Sequence, residues 1–115
     1  MNGFIYLATP YSHPDPTVVE HRYREAVEHT AYLLSLKRWC YSPIVHCHEM
    51  ARQCNLPTDA AYWREYNETM MRAASELHVY CIDGWKASLG VAHEIAFWQS
   101  LGRDVIFTVP AFTTA

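Results

Sequence analysis

No apolar stretch in this 115-residue chain approaches the roughly 18 consecutive residues that a membrane helix needs. Nor is there a run of Lys or Arg. Nine basic residues stand against twelve acidic ones, giving a formal net charge of −3 and a pI near 6.1. That balance argues against nucleic acid as the main partner, because contact with a phosphate backbone is built on clustered positive charge. The opening Met1-Asn2-Gly3-Phe4 lacks the basic flank of a secretory signal, so the expectation is a cytoplasmic protein with no membrane partner. Cysteine occurs four times, at Cys40, Cys47, Cys54 and Cys81, but never as CxxC. In a reducing compartment these are expected to be buried or half-buried thiols. No repeat, linker or low-complexity tract interrupts the chain, which is read as one domain spanning 1–115. At 50% hydrophobic residues it has enough apolar material for a single core, and a domain of this size buries roughly 65% of its unfolded surface.

What is present is an alternation of short apolar runs and amphipathic stretches. Phe4-Ile5-Tyr6-Leu7-Ala8 is a strand-like run ended by Thr9-Pro10, since proline cannot continue a central strand. Asp15-Pro16 then has the form of a helix cap with proline at the first helical position. The helix it opens places Val19, Tyr23, Ala26, Val27, Thr30, Leu33 and Leu34 on one face and ends near Lys37-Arg38. Trp39-Cys40-Tyr41-Ser42-Pro43 is read as a second short strand followed by a loop. Ile44 to Asn55 carries no clear signal. Asp59 caps a helix running through Trp63, Tyr66, Met70 and Ala74. Leu77 to Ile82 is a third strand. Gly102 ends the last helix, and Asp104 to Val109 is a fourth strand.

Strands alternating with helices at these lengths predict an α/β domain, with a Rossmann-like or flavodoxin-like parallel sheet of four to five strands in the order 2-1-3-4 and helices on both faces. In that topology the ligand crevice opens between the carboxyl ends of the first and third strands. It brings together Tyr6, Ala8, Pro10 and Tyr11 after the first strand, Asp83 to Gly90 after the third, and Glu94 on the following helix. Asp83-Gly84-Trp85-Lys86-Ala87-Ser88-Leu89-Gly90-Val91-Ala92-His93-Glu94 is a glycine-punctuated loop running into a helix. Such junctions bind anions through free backbone N–H groups and the helix dipole. Glu94, placed within about a turn of that start, is expected to be held as the anion by the same dipole. It then serves as nucleophile, base or simple helix-start residue. Tyr6 is either a core tyrosine or a ligand contact, Ser88 either an anion contact or an N-cap, and Asp83-Gly84 either a site or a turn. Adjacent His46, Cys47, His48 and Glu49 point in different directions on any regular element, so no metal site is expected there, and no cofactor elsewhere.

The opening Ile5-Tyr6-Leu7-Ala8-Thr9-Pro10-Tyr11, together with Asp83-Gly84 and Ser88-Leu89-Gly90-Val91-Ala92-His93-Glu94, resembles the nucleoside 2-deoxyribosyltransferase superfamily. The Ser-Leu-Gly-Val-x-x-Glu pattern is most similar to its 2′-deoxynucleoside 5′-phosphate N-hydrolases, while Asp83-Gly84-Trp85 and Ser42-Pro43-Ile44-x-His46 resemble a small uncharacterised phage and bacterial family near it. The resemblance implies a nucleoside or nucleotide substrate and attack by Glu94 on the anomeric carbon, with Tyr6 holding the carboxylate. It implies Ser88 and Gly90 on a 5′-phosphate, with Arg22 or His13 supplying positive charge, and Tyr11 or Trp85 against the base. It also implies a homodimer or larger homo-oligomer. At Asn67 the superfamily usually has an aspartic acid that protonates the leaving base. An amide cannot do this, and Asp83 is the nearest substitute in the motif. The resemblance thus leaves two expectations: cleavage or transfer at an N-glycosidic bond, or a non-catalytic protein that binds a nucleotide-derived ligand.

Overall fold

The computed structural model describes residues 3–110. Its element order is β1 (Ile5–Ala8), α1 (Pro16–Ser35), β2 (Cys40–Tyr41), α2 (Pro43–Cys54), α3 (Ala60–Ala73), β3 (Glu76–Tyr80), α4 (Leu89–Ser100) and β4 (Val105–Thr108). The four strands form one parallel sheet in the order β2-β1-β3-β4, which is the order read from the sequence. Tyr6 is paired with Tyr41 on one side and Leu77 on the other, and Ala8 with Val79. Because strand side chains alternate, Tyr6, Ala8, Leu77 and Val79 share one face. There they pack with Met71 and Ala74 from the end of α3 and with Val91 and Trp98 of α4. On the opposite face Leu7 and Tyr80 meet Ile82 and Cys40, and α1 covers them, with His29 stacked on Tyr80 at 4.0 Å.

Local chemistry fixes the helix starts. Asp15 accepts from the Thr17 amide at 2.9 Å with Pro16 at the first position, and Asp59 accepts from Tyr62. The expected loop after β2 is instead the start of α2. Ser42 accepts from the Val45 amide at 3.1 Å, and Pro43 opens the helix. Proline at this point ends the strand because it begins a helix, where its missing N–H costs nothing. Asn55, at φ 56°, ends α2 in the left-handed conformation. Gly102, at φ 77°, ends α4 in the same way. Leu34 belongs to the α1 face expected to turn inward, but it is exposed; the buried residues of α1 are Ala26, Thr30 and Leu33. Among the described residues no helix is long and apolar enough to cross a membrane.

Candidate active site

The carboxyl ends of β1 and β3 open into a cavity of about 580 Å³, within the usual range of small-molecule sites. Glu94 lies in its wall and is 7% exposed. The Tyr6 hydroxyl, fully buried beneath it, donates to Glu94 Oε2 at 2.5 Å, a length typical of a charge-assisted O–H···O bond. The two residues are 88 positions apart; the β1–β3 pairing and the packing of α4 on that face make them neighbours. Oε1 accepts no hydrogen bond among the described residues, so it is the oxygen left to meet a ligand.

The charge state of Glu94 differs from the expectation. It is the sixth residue of α4 and not a first-turn residue, and the dipole effect fades within the first turn. Burial dominates: desolvation pushes the carboxyl up to about 7, while the Tyr6 hydrogen bond acts in the opposite direction without offsetting it. Burial, and then the facing Glu94 carboxylate, raise Tyr6 well above the usual tyrosine range, so the phenol keeps its proton and serves as a fixed donor.

Ser88 ends a short 3₁₀ turn, Trp85–Ala87, and caps α4 by accepting from Val91 N at 3.1 Å. Ser88 also lines the cavity, and the cap uses only an acceptor site of Oγ, so its O–H proton is still free to donate. The next amides, those of Leu89 and Gly90, belong to the first turn, where no intrahelical acceptor exists, and both residues line the cavity. A Cβ on Gly90 would meet only Ser88 Oγ, at 3.8 Å, so this edge of the cavity is open. Asn67, on α3, lines the cavity too, and its Oδ1 is buried without a partner.

Other residues singled out in the sequence frame the cavity without lining it. Ala8 and Pro10 are buried behind Thr9, which does reach the wall. Asp83 is exposed on the turn. Trp85 packs against Phe107 of β4, ring centroids 5.5 Å apart. Arg22 donates to the carbonyl oxygens of Ser12, at 2.9 Å, and Tyr11, at 3.5 Å, and its guanidinium lies directly against Gly84. Gly84 has φ 90°, a backbone that glycine adopts without cost and other residues only with strain, and a side chain there would displace the end of Arg22. Arg22 is therefore a structural clamp between the first loop and the Gly84 turn. His13 accepts from the Asp15 amide and faces a second, shallower cavity beside the first.

Three features of the wall were not legible in the sequence. Arg64 of α3 lines the cavity and takes part in none of the ion pairs among the described residues. His93 also lines it and is bonded through Nε2 to Glu68 of α3 at 2.8 Å. Tyr11 is bonded to His48 Nδ1 at 2.6 Å, and both reach the cavity. His93 and Tyr11 fall within the stretches singled out above, but their partners, Glu68 and His48, come from other elements; Arg64 lies in a stretch that the sequence presents as ordinary helix. The cluster His46 to Glu49 diverges: His46 meets Tyr66, His48 meets Tyr11 and Glu20, and Glu49 meets Arg52. Among the described residues no three His, Cys, Asp or Glu side chains converge as a metal site. Cys47 lines the cavity, but burial raises its thiol, which keeps it neutral and poorly nucleophilic. All four cysteines are free thiols.

A domain-family model matches residues 3–109, nearly the whole chain. The chain belongs to the DUF1937 family. The description of that family is a domain of unknown function. No curated protein matches the chain.

Proposed function

We propose that this DUF1937 domain cleaves or transfers the N-glycosidic bond of a nucleoside or nucleoside 5′-monophosphate, with Glu94 as the nucleophile. The observation that carries this reading is the Tyr6–Glu94 pair: a buried carboxyl poised near neutrality, held by one phenol, with its other oxygen unengaged at the wall of a nucleotide-sized cavity. A carboxylate suits this work because it can bond to an oxocarbenium-like carbon and depart again. A pKa near the working pH leaves a substantial fraction ionised. The motif resemblance to the nucleoside 2-deoxyribosyltransferase superfamily supports the same assignment for Glu94 and Tyr6. The test is release of free base from nucleosides and their monophosphates, resolved by chromatography with and without an acceptor base. Substrate that is bound at micromolar concentration and remains intact over hours would overturn the reading.

The amide at Asn67 favours a second reading, in which the cavity binds a nucleotide-derived ligand without turning it over. It stands where the superfamily that the chain resembles has an acid, and its buried oxygen has no protein partner. Under this reading Asn67 recognises the base and does not protonate it. The same experiment separates the two.

Phosphate recognition follows from the first turn of α4. If the Leu89 and Gly90 amides and the Arg64 guanidinium receive the 5′-phosphate, monophosphates should bind at least about tenfold tighter than nucleosides, roughly 1.4 kcal/mol. Arg64→Gln should remove most of that difference in titration calorimetry while leaving nucleoside affinity unchanged. Equal affinity for both ligands in the unmodified protein would remove the phosphate from the proposal.

A further inference from the structure

Tyr11 and His48, which line the same cavity as Glu94, begin a chain of three polar side chains drawn from three elements. The Tyr11 hydroxyl, on the loop after β1, lies 2.6 Å from Nδ1 of His48 on α2. Nε2 of the same ring lies 3.3 Å from Glu20 Oε2 on α1. Tyr23 stacks on the imidazole at 4.0 Å with an interplanar angle of 23°, fixing the plane in which both hydrogen bonds are made. The His48 side chain is 9% exposed and that of Glu20 54%, so the chain runs from the cavity to solvent. A carboxylate only accepts, which assigns the Nε2 proton to the bond with Glu20. Nδ1 then either accepts from Tyr11 in the neutral ring or donates to it in the imidazolium. Burial first, then Glu20, raises Tyr11 above the usual phenol range, so Tyr11 passes protons on and does not persist as a phenolate.

Resting on the glycosidic reading above, we infer that Tyr11, backed by His48 and Glu20, is the proton shuttle of the reaction. It gives a proton to the leaving base and takes one back from the attacking water. In the first half, a Glu94 oxygen bonds to the anomeric carbon, and the C–N bond breaks with its electron pair passing to the base nitrogen. That nitrogen takes the Tyr11 hydroxyl proton while the His48 imidazolium returns its Nδ1 proton to the Tyr11 oxygen. In the second half, water bonds to the anomeric carbon and expels the Glu94 carboxylate. The water proton passes to Tyr11 as the Tyr11 proton passes to Nδ1, and the imidazolium is restored. One group serves as acid and then as base, as retaining glycosidases require. This chain supplies what the amide of Asn67 cannot. Tyr11 is the catalytic residue, and His48 and Glu20 are positioning residues acting through it.

The test compares the full-length protein with Tyr11→Phe and His48→Gln on two substrates sharing one sugar: the natural nucleoside or monophosphate, and a 4-nitrophenyl glycoside whose leaving group needs no proton. On the natural substrate both variants should lose roughly a hundredfold in base release. On the nitrophenyl glycoside they should release one equivalent of nitrophenolate in a burst and then slow. Azide, an anion with no proton to surrender, should restore steady turnover. A purely structural role would slow both substrates equally, with no azide rescue, and that result overturns the inference; so do unmodified rates on both substrates. Glu94→Gln should be inactive on both, burst included. If the unmodified protein releases neither base nor nitrophenolate, the glycosidic reading fails and this inference falls with it. An active enzyme with an indifferent Tyr11→Phe overturns the shuttle alone.

Discussion

Glu94→Gln should lower base release at least about a hundredfold while leaving the fold intact, since the substitution keeps the shape of the side chain and removes only its capacity to attack. Circular dichroism and a thermal transition measured beside turnover would separate the two effects. In the native protein the acid limb of the rate profile should follow Glu94, with activity rising as pH passes through about 7, because only the ionised carboxyl attacks. A variant that retained base release would show that the reacting group lies elsewhere in the cavity.

The same buried carboxyl should leave a large signature in stability. An unfolded glutamate loses its proton near 4.5, whereas Glu94 keeps its proton up to about 7. Between these values the folded state binds the extra proton. The stabilising contribution is therefore complete below about 4.5 and is lost as pH climbs through about 7. At roughly 1.4 kcal/mol per pH unit, the loss is about 3 kcal/mol. Glu94→Gln has no proton to lose. From pH 5 to pH 8 its thermal midpoint should rise relative to the native protein by on the order of 10 °C. Parallel curves for the two proteins would mean that Glu94 is solvated and not desolvated. The two predictions describe one trade: the ionisation that arms the nucleophile weakens the fold that holds it.

The sheet could be read from sequence because its signals are local. Ile5 to Ala8 and Leu77 to Ile82 are apolar runs closed by turn residues, and Asp15, Asp59 and Gly102 mark helix ends through bonds made within a few positions. Helix α2 is masked in the sequence even though Ser42-Pro43 repeats the cap-and-proline form of Asp15-Pro16, because an apolar run precedes it and a proline there equally suits the end of a strand. At the site, sequence placed Glu94, Tyr6, Ser88 and Gly90 near one another through the α/β topology. The charge on Glu94 runs the other way from the helix-start expectation, since its desolvation depends on tertiary burial and not on distance along a helix. His48 stayed hidden for a related reason. Its partners lie 28 and 37 positions away, on α1 and on the first loop, and nothing in the local pattern names them.

The Arg22 clamp divides the cavity mechanically. Arg22 bonds to the carbonyls of Tyr11 and Ser12 and packs its guanidinium against the Gly84 turn, so the first loop and the approach to α4 share one side chain. Among the described residues, the hydrogen bonds of the connection from α2 to α3, Asn55 to Asp59, all run to its own flanking helices, including Leu56 N to Ala51 O, Trp63 Nε1 to Pro57 O and Tyr62 N to Asp59, yet Thr58 and Asp59 form part of the same cavity. If a ligand draws the cavity closed, the α2–α3 corner is the side expected to give, and amide exchange should then slow on ligand binding in that corner while staying level across the clamp.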